Sequence, residues 1–241
     1  MAKKFIGGIS IDTEKEMRER HPADFYPTEQ ALIDAYVTEK MYFDGNPDLI
    51  FDVGAGDGRW GRTVKNNLLG AKTAMLVGTD IRDLPKPDGY DYWHTGESGN
   101  IYNLYGLAGG IYSNPNIYIA NPPFSIADDF FELCVNSVNK ETGLVAFLLP
   151  LSWLASEKRA KWYNDRTPIS RIVVCNTRPS FDDTYGGSYP GREYGIFEWH
   201  FMSGWVEGRS LNSKEMGDYC RTNPIEHLTY KKSPKPKRPK T

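Results

Sequence analysis

Long apolar runs are missing from this 241-residue chain, where no stretch approaches the roughly 18 consecutive apolar residues of a membrane span. The opening Met1-Ala2-Lys3-Lys4-Phe5 soon meets acidic and polar positions and lacks the apolar core of a secretory signal, so the chain reads as intracellular and cytoplasmic, without a membrane partner. Cysteine is scarce. Cys134, Cys175 and Cys220 are far apart with no C-x-x-C pair, which excludes a disulfide framework and a zinc or redox couple; they are expected as reduced thiols, at least two of them in the core. His21, His94, His200 and His227 lack metal-ligand spacing, so no metal is expected. A basic excess is missing as well: 29 Lys and Arg against 31 Asp and Glu leave a net charge of −2, which argues against a phosphate-binding surface spread over the whole body. The distribution qualifies the sum. Residues 231–240 carry six positive side chains and no negative one, so without them the net charge of −2 becomes −8. That segment reads either as an electrostatic arm for DNA or RNA or as a solubilising end.

The length suits one α/β domain with small additions. The pattern divides into a loosely ordered lead-in at 1–22, a main domain at 23–205, a small extension at 206–230 and a basic, disordered tail at 231–241. Ala31, Leu32, Ile33, Ala35, Tyr36, Val37 and Met41 recur at helical spacing, with Thr28, Glu29 and Gln30 as the helix start and Asp44-Gly45-Asn46-Pro47 as its stop. Leu49–Val53 reads as a buried strand, 54–58 as a tight glycine turn, 60–69 as a helix and 74–81 as a second strand: a βαβ unit that suits a parallel sheet covered by helices. Further strands fall at 90–94, 116–120, 144–149, Arg171–Cys175 and 195–202, with a helix at 127–138. Residues 178–191, rich in glycine and aromatics, read as a mobile loop.

Asp52-Val53-Gly54-Ala55-Gly56-Asp57-Gly58 lies where a strand gives way to a helix, the position at which open α/β sheets take nucleotide-like ligands. The glycines allow positive φ and close approach, and Asp52 can receive an amino group. Gly56, Gly58 and Gly61 also satisfy dinucleotide spacing, so a nicotinamide-dependent oxidoreductase is one alternative and a turn built for packing another. Asp80 ends the second strand 28 residues after Asp52, where a carboxylate can accept both ribose hydroxyls; an ordinary surface aspartate is the bland alternative. Asn121-Pro122-Pro123-Phe124 discriminates further. An exocyclic amine is a poor nucleophile because its lone pair is delocalised into the ring, and two acceptors aimed at its hydrogens would localise that pair. Asn121 offers a side-chain carbonyl and Pro122 a main-chain one, with both prolines fixing φ in advance. Phe124 adds a face for a base, worth roughly 1–3 kcal/mol of stacking. Mere turn punctuation is the competing reading.

In this order and on these strands, the glycine turn, Asp80 and Asn121-Pro122-Pro123-Phe124 resemble the class I S-adenosylmethionine-dependent amino-methyltransferases, in particular the DNA adenine-N6 methyltransferases, over residues 25–202. The resemblance implies a single Rossmann-like class I methyltransferase domain of α/β class, with a seven-stranded, mostly parallel sheet and helices on both faces. It implies S-adenosylmethionine bound by Thr28, Asp52, Gly54, Gly56, Asp80, Glu97 and Asn121, and Asn121, Pro122, Pro123 and Phe124 as the catalytic group. Phe25-Tyr26-Pro27-Thr28 is similar to the family segment that touches the cofactor's carboxylate, which gives Thr28 that role. Residues 143–150 resemble the family's fifth strand, and Arg178-Pro179-Ser180-Phe181 the loop leaving the sixth. The acidic residue that the family sets near the cofactor's adenine falls to Glu97, with Asp91 as the other choice. A duplex base would have to flip out to reach such a pocket, at a few kcal/mol. Phe124 would hold it on one side and Phe181 or Tyr185 on the other, although Phe181 reads equally well as core.

Family members that read a DNA sequence generally carry a separate recognition domain, and these 241 residues leave no room for a large one. Recognition would fall to the 178–192 loop, the 98–116 segment or a partner. Arg59, Arg62 and Lys65 read either as a phosphate path or as a solvated helix face. The same tetrapeptide serves RNA adenine methyltransferases, and a variant ending in Tyr serves protein glutamine methylation; Phe124 favours a base, and the Tyr26-Pro27-Thr28 segment favours DNA over RNA. A non-catalytic nucleic-acid-binding module is the remaining reading, opposed by the intact Asn121. The small size resembles that of solitary, phage-borne modifiers.

Overall fold

A computed structural model describes residues 4–6, 9–11, 27–104, 112–157, 159–160, 169–179, 192–201 and 225–232. Two short strands, β1 (Lys4–Ile6) and β2 (Ile9–Ile11), pair antiparallel. The other eight are β3 (Leu49–Val53), β4 (Met75–Asp80), β5 (Tyr92–Thr95), β6 (Ile117–Ala120), β7 (Leu144–Pro150), β8 (Arg171–Cys175), β9 (Tyr194–His200) and β10 (Ile225–Leu228). They form one sheet in the order β10-β8-β9-β7-β6-β3-β4-β5. Only β9 in this sheet runs against its neighbours. All seven expected strands are present, and β10 adds an eighth at the edge; four residues with Glu226 and His227 in the middle carry no strand signal. The order reverses between β3 and β6, which opens a crevice at the carboxyl ends of β3, β4 and β6.

Period-two alternation sorts the core onto the two faces. Ile50, Leu76, Ile117, Ile119, Leu144, Ala146, Leu148 and Ile196 pack with Leu32, Tyr36, Trp60 and Val64 from helices α1 (Gln30–Glu39) and α2 (Arg59–Asn67). Their neighbours Phe51, Val77, Tyr118, Ala120, Val145, Phe147, Leu149 and Phe197 pack with Phe130, Phe131 and Cys134 of α3 (Ala127–Ser137). Cys134 and Cys175 are buried thiols; Cys220 lies outside the described residues. Helix α1 begins at Gln30 rather than at Thr28, and Glu29 makes no side-chain cap. Thr28 is engaged elsewhere, as described below. The helix closes at Tyr36, whose carbonyl accepts from the Lys40 and Met41 N–H groups. No described helix is long and apolar enough to cross a membrane.

One polar cluster interrupts the α1 face. Glu198, fully buried on β9, stands opposite Arg171 of β8 in the strand register. Its carboxylate accepts from Arg171 Nη2 at 2.6 Å and Nε at 2.8 Å, from the Tyr36 hydroxyl at 2.7 Å and from His200 Nε2 at 2.7 Å. Arg171 also donates to Glu226 of β10 at 3.0 Å and to the Lys40 carbonyl at 2.7 Å, and Lys40 pairs with Glu226 at 2.9 Å. The cluster thereby ties β10, β8, β9 and the end of α1 together. Burial alone would raise the Glu198 carboxyl, but the His200 hydrogen bond and the Arg171 charge override it and hold it at about 2.

Glu198→Gln removes the buried carboxylate that Arg171 meets through two nitrogens, leaving it only the Glu226 ion pair, and is expected to cost about 3–5 kcal/mol, read from urea unfolding. The wild-type contribution is complete above pH 4.5, the ordinary glutamate value, and is lost as pH falls toward 2. An unchanged unfolding midpoint in the variant would show that the cluster does not hold the sheet edge.

Candidate functional site

A cleft of about 760 Å³, open to solvent, lies at the carboxyl ends of β3, β4 and β6 and is lined by Thr28, Gly54, Gly56, Asp80 and Asn121 among others. Five residues nominated from separate stretches of sequence therefore meet in one place. The turn after β3 holds Gly54, Gly56 and Gly58 at φ of +68°, +64° and +78°, backbone that side chains rarely adopt. It sends the chain over the end of β4, where the Gly56 N–H donates to Asp80 Oδ2 at 2.9 Å.

Asp80 receives four donors. Besides Gly56, the Arg82 backbone N–H and Nε reach Oδ1 at 2.9 Å each, and Arg82 Nη2 reaches Oδ2 at 2.9 Å. Roughly four acceptor sites of a carboxylate are thus filled. A ligand that engages this carboxylate has to compete with the Arg82 guanidinium. The neighbouring cation Arg59 donates to the Thr28 carbonyl at 2.6 Å and is ion-paired with Asp57.

Thr28 is buried, and its hydroxyl collects two donors: Trp60 Nε1 from α2 at 3.0 Å and Asn121 Nδ2 at 3.0 Å. The second bond fixes the Asn121 amide, turning its Oδ1 away from Thr28. Pro123 also lines the cleft, and its carbonyl accepts from the Ile126 N–H at 3.1 Å, closing the turn into α3. Pro122 is buried ahead of that turn. Phe124 is not among the residues that line the cleft; it is half-buried against the core, with its ring 5.9 Å from that of Tyr194 and inclined by 41°. Phe181 and Tyr185 lie outside the described residues.

Two of the expected cofactor contacts are not brought to the cleft. Asp52 shares the face of Ile50 by strand alternation, so its carboxylate points under α2. There it accepts from the Gly61 N–H at 2.8 Å, one of the first-turn donors of α2, and from the Tyr90 hydroxyl at 2.5 Å. A Cβ at position 61 would stand 2.9 Å from Asp52 Oδ2, so the third glycine of the dinucleotide spacing serves this packing. Glu97 is exposed on a short 3-10 turn and accepts from Asn103 Nδ2 at 2.8 Å. The other choice, Asp91, is also exposed; it pairs with Lys65 at 2.7 Å and accepts the Leu76 N–H at 2.7 Å. Beyond Asp80 the described wall is apolar, built of Ile81, Ile101, Leu104, Ile126 and Phe130. Sequence reading missed this wall together with Arg82 and Trp60. An arginine two residues past a strand-end aspartate was the available signal for Arg82; the wall comes from three separate segments and had none.

No family model matches the sequence, and no curated protein matches it. Solved structures do. A protein described as a modification subunit of a type I restriction enzyme from Vibrio vulnificus superposes with a TM-score of 0.53 at 14% identity, over 78% of this chain and 47% of the other. The type I restriction-modification system methyltransferase subunit from Streptococcus thermophilus gives 0.50 at 12% identity, over 72% and 44%. A protein described as a class I S-adenosylmethionine-dependent methyltransferase from Listeria monocytogenes gives 0.48 at 15% identity, over 82% and 62%. The chain spans less than two thirds of the length of each. The fold is the Rossmann-like one of the class I methyltransferases, with an eighth strand at its edge.

Burial pushes the Asp52 carboxyl up to about 7, against hydrogen bonds from Tyr90 and Gly61 that lower it. The unfolded chain gives up this proton near pH 3.8, whereas the folded one keeps it until about 7, so folded stability declines as pH rises through that interval. Asp52→Asn is expected to flatten this part of the stability–pH profile, measured by urea unfolding between pH 4 and 8; an unaltered slope would remove Asp52 as its source.

Proposed function

We propose that the chain is an S-adenosylmethionine-dependent methyltransferase acting on the exocyclic N6 amino group of adenine in DNA. The observation that carries this reading is the Asn121 amide, held by Thr28 at the wall of the same cleft that Gly54, Gly56 and Asp80 line. The cleft's chemistry suits an amino-acid-bearing nucleoside. Thr28 and Arg59 offer polar groups at one end, Asp80 is an acceptor for a ribose diol, and the apolar wall from Ile81 to Leu104 can cover a purine. Two of the superposing structures are described as subunits of restriction systems, which favours DNA.

When bound, S-adenosylmethionine supplies an electrophilic methyl group on its sulfonium. The chain's own residues do the rest. Asn121 Oδ1 and the Pro122 carbonyl accept the two amine hydrogens and draw the nitrogen toward a tetrahedral, nucleophilic form. The prolines keep these acceptors in place, so little reorganisation is needed as charge develops. Phe124, braced on Tyr194, presents a preset face for the flipped base. The C–N bond forms as the bond from carbon to sulfur breaks, and the amine then releases its proton to solvent. No side chain need act as base, and proximity with alignment supplies most of the rate.

Labelled cofactor, offered with duplex DNA, single-stranded DNA and RNA in parallel, tests the assignment; label in N6-methyladenine of DNA is expected. A catalytically silent module would transfer nothing, and an oxidoreductase would be stabilised thermally by a nicotinamide cofactor instead. Asn121→Ala is expected to abolish transfer with cofactor affinity nearly unchanged, and equal loss of both would refute its assigned role. Thr28 is a positioning residue: Thr28→Val should lower kcat roughly tenfold, about 1.4 kcal/mol, with KM for DNA little changed, and Thr28→Ser should restore it. Arg82→Ala removes the internal partner of Asp80 and should tighten cofactor binding severalfold by calorimetry. Weaker binding would mean that Arg82 itself contacts the cofactor.

A further inference from the structure

The glycine turn of the cleft is fastened at three points. The Ala55 N–H donates to the Thr79 carbonyl at 2.8 Å and the Gly56 N–H to Asp80 Oδ2 at 2.9 Å, both on β4. The third fastening is Tyr90, which precedes β5 and is buried against the turn. Glycines make the room for it: a Cβ at Gly58 would stand 2.6 Å from the Tyr90 ring, one at Gly78 2.5 Å from it, and one at Gly61 would run into its hydroxyl. Trp93 closes on the ring edge-to-face at 5.0 Å. The hydroxyl stands 3.1 Å from the Gly58 carbonyl and 2.5 Å from Asp52 Oδ2. The Gly58 N–H donates in turn to the Ala55 carbonyl at 2.9 Å, so a grip on Gly58 reaches Ala55 and Gly56 in the cleft wall.

A hydroxyl carries one proton, and its O–H can point along only one of two acceptors. Both contacts are hydrogen bonds at the same time only when Asp52 brings a proton of its own. Asp52 then donates to the Tyr90 oxygen, still accepts the Gly61 N–H at 2.8 Å, and leaves the Tyr90 proton for the Gly58 carbonyl. Ionised Asp52 accepts that proton instead, and the Gly58 carbonyl is left facing a hydroxyl lone pair. Asp57 of the turn and Asp80 of β4, the latter paired with Arg82, both disfavour an ionised Asp52. Arg62 of α2 and Asp57 act on the Tyr90 hydroxyl in opposite directions, and the Lys86 amine donates to the Tyr90 carbonyl at 3.1 Å. Arg59 and Lys65 of α2 are paired with Asp57 and Asp91, and β6 sets Ile119 beside Asp52 in register. Burial keeps the proton on Asp52 up to about 7.

We infer that Tyr90 is a positioning residue for the cofactor, holding the glycine turn in its binding shape only while Asp52 is protonated. This rests on S-adenosylmethionine as the ligand of the cleft and on no particular methyl acceptor. The test is calorimetric binding of S-adenosylmethionine to the wild type, Tyr90→Phe and Asp52→Asn between pH 6 and 8.5. Tyr90→Phe keeps the ring and lacks the hydroxyl. In Asp52→Asn the amide oxygen has to face the Gly61 N–H, so it accepts the Tyr90 proton at every pH. At pH 6 the wild type should bind about tenfold more tightly than either variant, roughly what one hydrogen bond contributes. That advantage should vanish as pH rises through about 7, so that the three proteins converge at the alkaline end. Titration of the ligand's own amine is common to all three and cancels in the ratio. A Tyr90 that only packs would lower the urea midpoint of Tyr90→Phe and leave the affinity ratio the same across the range. Such a constant ratio, or a variant that binds as tightly as the wild type at pH 6, would overturn this inference alone. A wild type that binds no S-adenosylmethionine at any pH tested would overturn the methyltransferase reading with it.

Discussion

Thr28 Oγ1 accepts from donors in two different layers of the molecule, the Trp60 indole of α2 and the Asn121 amide after β6. An indole can only donate, so one lone pair of the hydroxyl is fixed by Trp60 and the other is left for the asparagine. A buried donor stripped of its acceptor costs about 1–3 kcal/mol, so both bonds resist loosening. Through them the segment before α1, the first turn of α2 and the end of β6 are locked at one distance from each other, and that distance sets the width of the cleft. The direction of the Asn121 carbonyl follows from the same bond. Arg59, which reaches the Thr28 main-chain carbonyl, grips the segment a second time.

Three buried carboxylates show how place along a strand and partners decide what an acid does. Asp52, Asp80 and Glu198 are all at most 5% exposed. Asp52 points beneath α2 and meets only neutral donors, which cannot offset desolvation, so its carboxyl is lifted to about 7. Glu198 is buried more deeply but meets a bidentate guanidinium, and is held at about 2. Asp80 sits at the strand end, where the chain turns over it, and is the one that faces the cleft. Residue type nominates all three equally, and alternation puts all three on the α1/α2 face; the place along the strand and the nearest cation separate the two packed acids from the one that lines the cleft.

The parts of the fold written in local periodicity were legible. Short, mostly buried runs marked the strands, with alternation only at the last, the glycine-rich turn marked the crevice, and the rigid Asn121-Pro122-Pro123-Phe124 turn marked its wall. What failed to show depends on contacts between distant residues. Thr28 looked like a helix cap because caps and buried acceptors use the same side chain, and only Asn121, 93 residues away, distinguishes them. Asp52 looked like a ligand contact because it adjoins the glycine turn, yet two-residue alternation with Ile50 already puts it under α2. Glu97 was chosen for its charge in a region where the described wall is hydrocarbon. β10 joins the sheet through parallel pairing with β8 and the Arg171–Glu226 ion pair, neither of which leaves a mark in four residues.

The cleft is not a passive cast of its ligand. Asp80 is already saturated by Gly56 and Arg82, so on the proposed reading the free energy gained from a ribose diol would be a difference between two sets of hydrogen bonds rather than the value of the new set. Arg82 is covalently tethered two residues away, and its competition is effectively intramolecular; it is always present at the high local concentration that a short chain imposes. Such a competitor lowers affinity for substrate-state and product-state cofactor alike, which leaves selectivity to the contacts that differ between them. A methyl donor becomes a product at every turnover and has to leave before the next can enter. In the proposed methyltransferase, a carboxylate with its own arginine waiting would favour that exchange, at the expense of a tightness that transfer does not require.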